Sequence, residues 1–67
     1  MKILNNRELQ IITFKAQGLT AKEIARLIGL EHRTIEIYIS RLIKKLEAKN
    51  IANAIYIATQ KNIIREN

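Results

Sequence analysis

The stretch from residue 20 to residue 46 constrains the fold of this chain more than any other part. Ala25 has no side-chain bulk beyond Cβ, so a second helix can approach the first one closely there. Gly29 can adopt the left-handed conformation that ends a helix, at no steric cost. Ile35 then fills the angle between the two helices. The stretch therefore predicts a helix-turn-helix, although an ordinary α-helical hairpin favours the same residue types.

Capping residues and apolar spacing predict four helices, with no strand pattern between them. Asn5 with Glu8, and Thr20 with Glu23, have the spacing of a capping box, and Asn50 is a candidate cap for the last helix. The predicted helices cover about residues 6–17, 21–28, 32–46 and 51–61. The sequence therefore predicts an all-α, four-helix fold that forms a single domain over residues 1–67.

The second and third predicted helices each have an apolar face. In the second helix this face comprises Ile24, Ala25, Leu27 and Ile28. In the third helix the apolar stripe comprises Ile35, Ile39, Leu42, Ile43 and Leu46. The opposite face of the third helix is mainly polar and carries Arg33, Glu36, Ile37, Ser40, Arg41 and Lys44. This face is the first candidate for a binding surface.

The fourth helix is too apolar for one stripe packed against three other helices. Ala54, Ile55 and Ala58 form that stripe, and Ile51 extends it at one end. Tyr56 and Ile57 are then predicted to point away from the core, and an exposed patch of this kind usually marks an interaction surface. The candidate residues for a subunit interface are Ile51, Tyr56 and Ile57.

The charge of the chain suggests a polyanionic partner. Twelve Lys and Arg against six acidic residues give a net charge of +6 on 67 residues. Neutralising phosphates with basic side chains releases counterions, so such a surface attracts nucleic acid. A soluble domain coated with lysine would have the same composition. The distribution is more informative, because five basic residues lie on or just beyond the third helix: Arg33, Arg41, Lys44, Lys45 and Lys49.

Several classes of function are not expected. The chain has no Cys and no Asp, and His32 is its one histidine, so neither a metal site nor a catalytic triad is expected. No cofactor and no enzyme activity are expected either. No apolar run approaches the ~20 residues of a membrane span, and the first ten residues do not have the pattern of a signal peptide. We therefore expect a cytoplasmic protein without a membrane partner.

The combined pattern resembles the DNA-binding domain of the LuxR/GerE family of bacterial transcription regulators. The matching residues keep register over nearly the whole chain: Leu4, Arg7, Glu8, Ala16, Gly18, Thr20, Lys22, Glu23, Ile24, Ala25, Gly29, Thr34, Ile35, Ile43, Lys45 and Leu46. The resemblance implies a four-helix domain whose third helix lies in the major groove of double-stranded DNA. It also implies a homodimer formed through the fourth helix. The small apolar patch on that helix suggests a weak dimer.

Site residues follow from this placement. Arg33, Glu36, Ile37 and Ser40 lie where base edges would be, early in the third helix. The candidates for phosphate contacts are Thr20, Lys22, Thr34, Arg41, Lys44 and Lys45.

Four residues depart from the family pattern. Glu31 replaces the usual capping Ser, Glu36 replaces a Lys, Tyr38 replaces a His, and Glu47 replaces a Gly. An acid at position 36 either accepts a hydrogen bond from a cytosine amino group or indicates a module that binds protein. One alternative function, favoured by Glu36, is therefore an anti-activator that pairs with a related regulator. A second alternative, which rests on the similar helix-turn-helix and not on Glu36, is a promoter-binding domain like region four of sigma factors. Either a related regulator or RNA polymerase would then be a partner.

Overall fold

A computed structural model of the chain describes residues 4–64 and contains the four predicted helices. They are α1 (Asn6–Ala16), α2 (Ala21–Ile28), α3 (His32–Lys45) and α4 (Ile51–Gln60). Their ends differ from the predicted ones by at most one residue. No strand occurs between residues 4 and 64, so the predicted all-α fold is confirmed. Residues 1–3 and 65–67 of the proposed domain lie outside the described part.

Local hydrogen bonds fix where three of the helices begin. The side chain of Asn5 accepts from the Glu8 amide at 2.8 Å, and the Glu8 carboxylate accepts from the Asn5 amide at 2.9 Å. Thr20 and Glu23 form the same reciprocal pair before α2. Asn50 accepts from the Asn53 amide at 2.8 Å at the start of α4. Both capping boxes and the predicted cap of α4 are therefore present.

The turn between α2 and α3 depends on Gly29. Its φ of 72° lies in the left-handed region, and its amide donates to the carbonyl of Ala25. A Cβ built on Gly29 would meet no atom within 4 Å, so its backbone conformation rather than crowding favours glycine. This turn directs α3 across α2. The predicted helix-turn-helix is present.

The core lies around α1 and α3, each of which packs against the other three helices. Within residues 4–64, α2 and α4 do not pack against each other. Five large side chains are fully buried: Ile11, Ile12, Ile24, Ile35 and Leu42. They come from α1, α2 and α3, while α4 contributes the fully buried Ala54 and Ala58. The small side chains of these two alanines allow α4 to lie close to the core.

Leu27 does not lie on the buried face of α2 as predicted. Its side chain is 63% exposed, whereas Ile24 and Ala25 are buried and Ile28 is partly buried. At about 100° per residue, Leu27 lies roughly 100° from the middle of the face that the other three share. An eight-residue helix that packs mainly through one narrow stripe leaves such a position in solvent.

The assignment of faces on α4 needs a correction at Ile57. This residue is partly buried and packs against the core, as do Ile51 and Ile55. Ile57 follows Ala54 by three residues, about 60° around the helix, which is close enough to reach the core. Tyr56 does point away from the core and is 62% exposed. No helix within the described residues is both long and apolar enough to cross a membrane.

Candidate nucleic-acid interface

The outward face of α3 is a continuous strip of exposed side chains. All six residues assigned to it are exposed: Arg33, Glu36, Ile37, Ser40, Arg41 and Lys44. Helical geometry places them within an arc of roughly 140°, with Ile35 and Leu42 on the buried side. The helix can therefore present this whole strip to a partner without uncovering the core.

The four residues proposed to contact bases lie in the first nine residues of α3 and share an arc of roughly 100°. Ile37 is 44% exposed, so a branched apolar side chain lies among polar neighbours in water. Arg33, Glu36 and Ser40 surround it with one base, one acid and one hydroxyl. The strip can therefore offer a hydrogen-bond donor, an acceptor and an apolar contact within two helical turns.

Glu36 has a partner that the sequence argument missed. The Nε2 atom of His32 lies 3.6 Å from Oε2 of Glu36, one helical turn away, and both side chains are about half exposed. The four-residue spacing of these two side chains was visible in the sequence, because such pairs are neighbours on a helix surface. The sequence could therefore have predicted this contact.

The residues proposed to contact phosphate differ in exposure and in whether they already form hydrogen bonds. Lys22, Arg41 and Lys44 are exposed, and Thr34 is partly buried. Thr20 is already engaged in the cap of α2, where its hydroxyl oxygen accepts from the Glu23 amide at 3.2 Å. Its backbone and side-chain hydrogen bonds hold the pKa of Glu23 below the ordinary value.

Lys45 is not free in the way predicted for a phosphate contact. Its Nζ atom lies 2.8 Å from Oε1 of Glu8, whose side chain is only 8% exposed. The same oxygen accepts from the Asn5 amide. Burial opposes the charged form of Glu8, yet the hydrogen bonds from Lys45 and Asn5 and the nearby positive charges outweigh it and lower the pKa of Glu8. Lys45 therefore ties the end of α3 to the start of α1.

Comparison with known proteins decides the family. Residues 2–58 match the bacterial regulatory proteins of the luxR family. The chain belongs to this family. The resemblance found in the sequence is thereby confirmed.

Similar luxR-family relatives include BvgA, a virulence-factor transcription regulator of Bordetella pertussis, with 35% identity over 63 residues. This match covers 94% of the chain but 30% of BvgA. The transcriptional activator EchR of Dickeya chrysanthemi is 32% identical over 94% of the chain and 25% of EchR. The transcriptional regulatory protein DesR of Bacillus subtilis is 36% identical over 87% of the chain and 29% of DesR. The chain thus spans less than a third of these relatives.

The structure describes three of the departures from the luxR-family pattern. Glu47, at the usual Gly position, has a φ of 54° and therefore adopts a left-handed conformation that favours glycine. Tyr38, at the usual His position, is partly buried against the core. Glu31 precedes α3 without a side-chain capping bond to the amides of that helix. The end of α3 in this member is therefore strained, and its start lacks the usual cap.

The helix α4 carries no charged residue from Ile51 to Gln60, in a chain where 27% of residues are charged. Its outward side consists of Ala52, Tyr56 and Gln60, which are spaced four residues apart and exposed. An uncharged strip of this kind can meet a second copy of itself without repulsion between like charges. Tyr56 is its one large apolar side chain.

Proposed function

We propose that this luxR-family domain binds double-stranded DNA in a sequence-specific manner and regulates transcription in the bacterial cytoplasm. The proposal rests above all on the exposed strip of α3, which is continuous while the other side of the helix is buried. The major groove of B-form DNA is wide enough to admit one α-helix. We place α3 in that groove, with its first two turns against the base edges.

Each proposed base contact has a chemical counterpart in the groove. A guanidinium such as that of Arg33 matches the two acceptors of guanine, and a carboxylate such as that of Glu36 accepts from the amino group of cytosine. Ile37 can pack against the methyl group of thymine. Ser40 can donate to or accept from either partner of a base pair. Each good contact contributes roughly 1–3 kcal/mol of discrimination between bases.

Phosphate contacts supply most of the remaining affinity. Lys22, Arg41 and Lys44 are exposed, so their positive charges are accessible to a phosphate backbone. Thr20 and Thr34 lie at the first turns of α2 and α3, where backbone amides can also meet phosphate. Lys45 contributes less, because it already donates to Glu8.

A homodimer would bring two α3 helices to the DNA and so double the contact surface. The uncharged strip of α4 around Tyr56, with the exposed part of Ile57 beside it, can pack on the same strip of a second copy related by a two-fold axis. Ile51 lies at one end of this helix. The domain extends at most 28 Å, so two copies can set their α3 helices about one DNA turn, roughly 34 Å, apart. The strip is small, which suggests a weak dimer that forms fully only on DNA.

A salt titration tests the DNA-binding proposal. A pool of random duplexes is enriched on the chain, and the selected duplex is titrated between low and physiological salt. Affinity should fall with salt, with a slope of about −0.9 per neutralised phosphate. Lys44→Ala should lower that slope by about 1, whereas Lys61→Ala, which removes the same charge beyond α4, should leave it unchanged. Affinity that does not respond to salt would contradict the proposal. Failure to bind any duplex, combined with pairing to another luxR-family domain, would favour the protein-binding alternative.

The proposed base contacts are tested by selection with variants. Ile37→Ala and Glu36→Lys should each change the enriched sequence, because they alter the strip that faces the bases. Lys44→Ala should lower affinity for all duplexes about equally, since phosphates carry no base identity. An unchanged enriched sequence for both Ile37→Ala and Glu36→Lys would mean that another surface contacts the bases.

The dimer is tested at Tyr56 rather than at Ile57, because Ile57 also packs on the core. Tyr56→Glu should leave thermal unfolding nearly unchanged and abolish cooperative binding to paired half-sites. Gln10→Glu introduces the same charge at an exposed position on α1 and serves as a control. If Tyr56→Glu pairs on DNA like the parent in gel shifts and sedimentation, α4 does not form the dimer contact.

A further inference from the structure

His32 and Glu36 lie side by side at the edge of the strip that is proposed to face the bases. His32 is the first residue of α3, and Glu36 is one turn further along. The Nε2 atom of His32 lies 3.6 Å from the Oε2 atom of Glu36, and the two side chains are 45% and 60% exposed. Solvent, or a ligand that replaces solvent, can therefore reach both members of the pair.

A carboxylate on a surface that is proposed to face DNA is electrostatically unfavourable. Duplex DNA carries one negative charge for about every 1.7 Å of its length, so Glu36 is repelled as it enters the groove. A positive charge on its immediate neighbour would offset that repulsion and would hold the carboxylate in place. Histidine is the side chain that ordinarily gains or loses its charge between about pH 5 and 8. The chain has a single histidine, so no other imidazole can have this effect.

Other charged residues lie next to the pair on the chain and on the helices packed against α3. Glu31 and Arg33 are its neighbours on the chain, and they oppose each other in sign. The charged residues of the helices packed against α3 are Lys22, Glu23 and Arg26 on α2, and Arg7, Glu8 and Lys15 on α1, whereas α4 has none. Among residues 4–64, the ion pairs within 4.0 Å are His32–Glu36 and Lys45–Glu8. His32 is therefore the group placed to set the charge beside Glu36.

We propose that His32 is a positioning residue for base recognition: its protonated imidazole orients and neutralises the Glu36 carboxylate, so that discrimination in favour of cytosine strengthens as the pH falls from 8 to 6. This inference rests on the proposed DNA-binding function. It makes the choice of binding site, and not only the overall affinity, depend on proton concentration. The histidine itself need not touch a base.

The pair can first be examined without DNA. The single imidazole gives one set of ring signals in a proton NMR spectrum, which can be assigned unambiguously in the free chain. Glu36→Gln should change the chemical shifts of these ring signals at pH 6, because the imidazole loses the carboxylate beside it. Unchanged ring signals would show that the contact does not persist in solution and would overturn the proposal.

The decisive experiment compares four proteins: the parent, His32→Gln, Glu36→Gln and the double variant. Each is titrated at pH 6 and pH 8 with the duplex enriched on the parent, and with duplexes in which single cytosines are replaced. For the parent, the ratio of the affinity for the enriched duplex to that for a duplex with a replaced cytosine should rise about twofold to fivefold between pH 8 and pH 6. This is the range expected for an exposed ion pair. Discrimination by His32→Gln should not depend on pH. The effects of the two single changes should be coupled at pH 6 and independent at pH 8.

The possible results separate the inference from the function on which it rests. If the parent binds no duplex at either pH, the DNA-binding proposal fails, and this inference fails with it. If the parent binds DNA but discriminates equally between the duplexes at pH 6 and pH 8, only the role of His32 is overturned. A merely structural role would lower the melting temperature of His32→Gln and weaken binding to all duplexes alike, without any coupling to Glu36. That result also overturns the proposal.

Discussion

The first and last turns of α3 each hold a basic side chain beside a glutamate, but water reaches the two glutamates very differently. At the last turn, Lys45 donates to a Glu8 carboxylate that is almost completely buried between α1 and α3. At the first turn, His32 and Glu36 are both open to solvent and lie farther apart. The acidic group is the same in both pairs, whereas the basic partner and the burial of the carboxylate differ.

The comparison shows how burial decides what an ion pair can do. A buried carboxylate that loses its donor leaves an uncompensated charge in a poorly hydrated place, which is strongly destabilising. An exposed pair contributes about 0–1 kcal/mol, because water solvates both charges well. Glu8 and Lys45 are therefore committed to the fold. His32 and Glu36 remain available for a ligand.

The largest effect is expected from Glu8→Ala. This change removes the hydrogen bond that the Glu8 side chain adds to the capping box of α1, and it removes the partner of Lys45. It should therefore lower the free energy of unfolding by about 2–3 kcal/mol. For a domain of this size, the melting temperature should fall by roughly 10–20 °C in a circular dichroism experiment. The matched change Glu36→Ala should cost less than about 0.5 kcal/mol. Equal losses of stability in Glu8→Ala and Glu36→Ala would contradict the difference inferred between the two glutamates.

The adjacent lysines give a second test, with opposite outcomes for folding and binding. Lys45→Ala leaves the buried Glu8 without its lysine and should lower stability by about 1–2 kcal/mol. Lys44→Ala changes an exposed side chain, so stability should stay within about 0.5 kcal/mol of the parent. For DNA affinity, the larger loss is expected from Lys44→Ala. If Lys45→Ala were the more harmful to binding in a well-folded state, Lys45 would leave Glu8 to contact phosphate.

Acid should remove the stabilisation that the Glu8 carboxylate provides. The pKa of Glu8 is lowered on folding, so its ionised form adds stability at pH values above the ordinary range of a carboxyl group. That contribution is lost as the pH falls below about 4 and the carboxylate is protonated. Thermal unfolding from pH 6 to pH 2 should therefore show a smaller loss for Glu8→Gln than for the parent. A curve for Glu8→Gln parallel to that of the parent would contradict this assignment.

The smallest effect concerns the turn that follows Lys45. Glu47 adopts a left-handed conformation without being glycine, so Glu47→Gly removes strain of about 1 kcal/mol but increases the flexibility of the unfolded chain. A net gain of about 0.5 kcal/mol, or a rise of roughly 2–4 °C in melting temperature, is expected. Ala48→Gly lies next to it at a position without positive φ and should instead lower stability. A loss with both variants would mean that Glu47 is not strained.

Local patterns in the sequence were sufficient for much of the fold. The two capping boxes, the turn at Gly29 and the apolar stripe of α3 depend on residues within a few positions of one another. They could therefore be predicted from helical periodicity and capping chemistry. The outward strip of α3 follows from the same periodicity, because the residues opposite a buried stripe are exposed.

The missed features depend on the three-dimensional arrangement of the helices. Glu8 and Lys45 are 37 residues apart, and no local pattern connects them. Leu27 and Ile57 lie at the edges of their apolar faces, where the exact rotation of the helix decides whether a side chain is exposed or partly buried. The contact between His32 and Glu36 is different, because its spacing could have revealed it.

The double use of one oxygen atom in Glu8 has a consequence for the order of folding. Oε1 accepts from the amide of Asn5, three residues away, and from Lys45, 37 residues away. The nearby bond needs only one turn of nascent helix, which forms on the submicrosecond timescale, whereas the distant one waits for the chain to close a long loop. We expect the cap of α1 to form first and to fix the position of the Glu8 carboxylate before Lys45 reaches it. The start of α1 would then be formed before α3 packs against it.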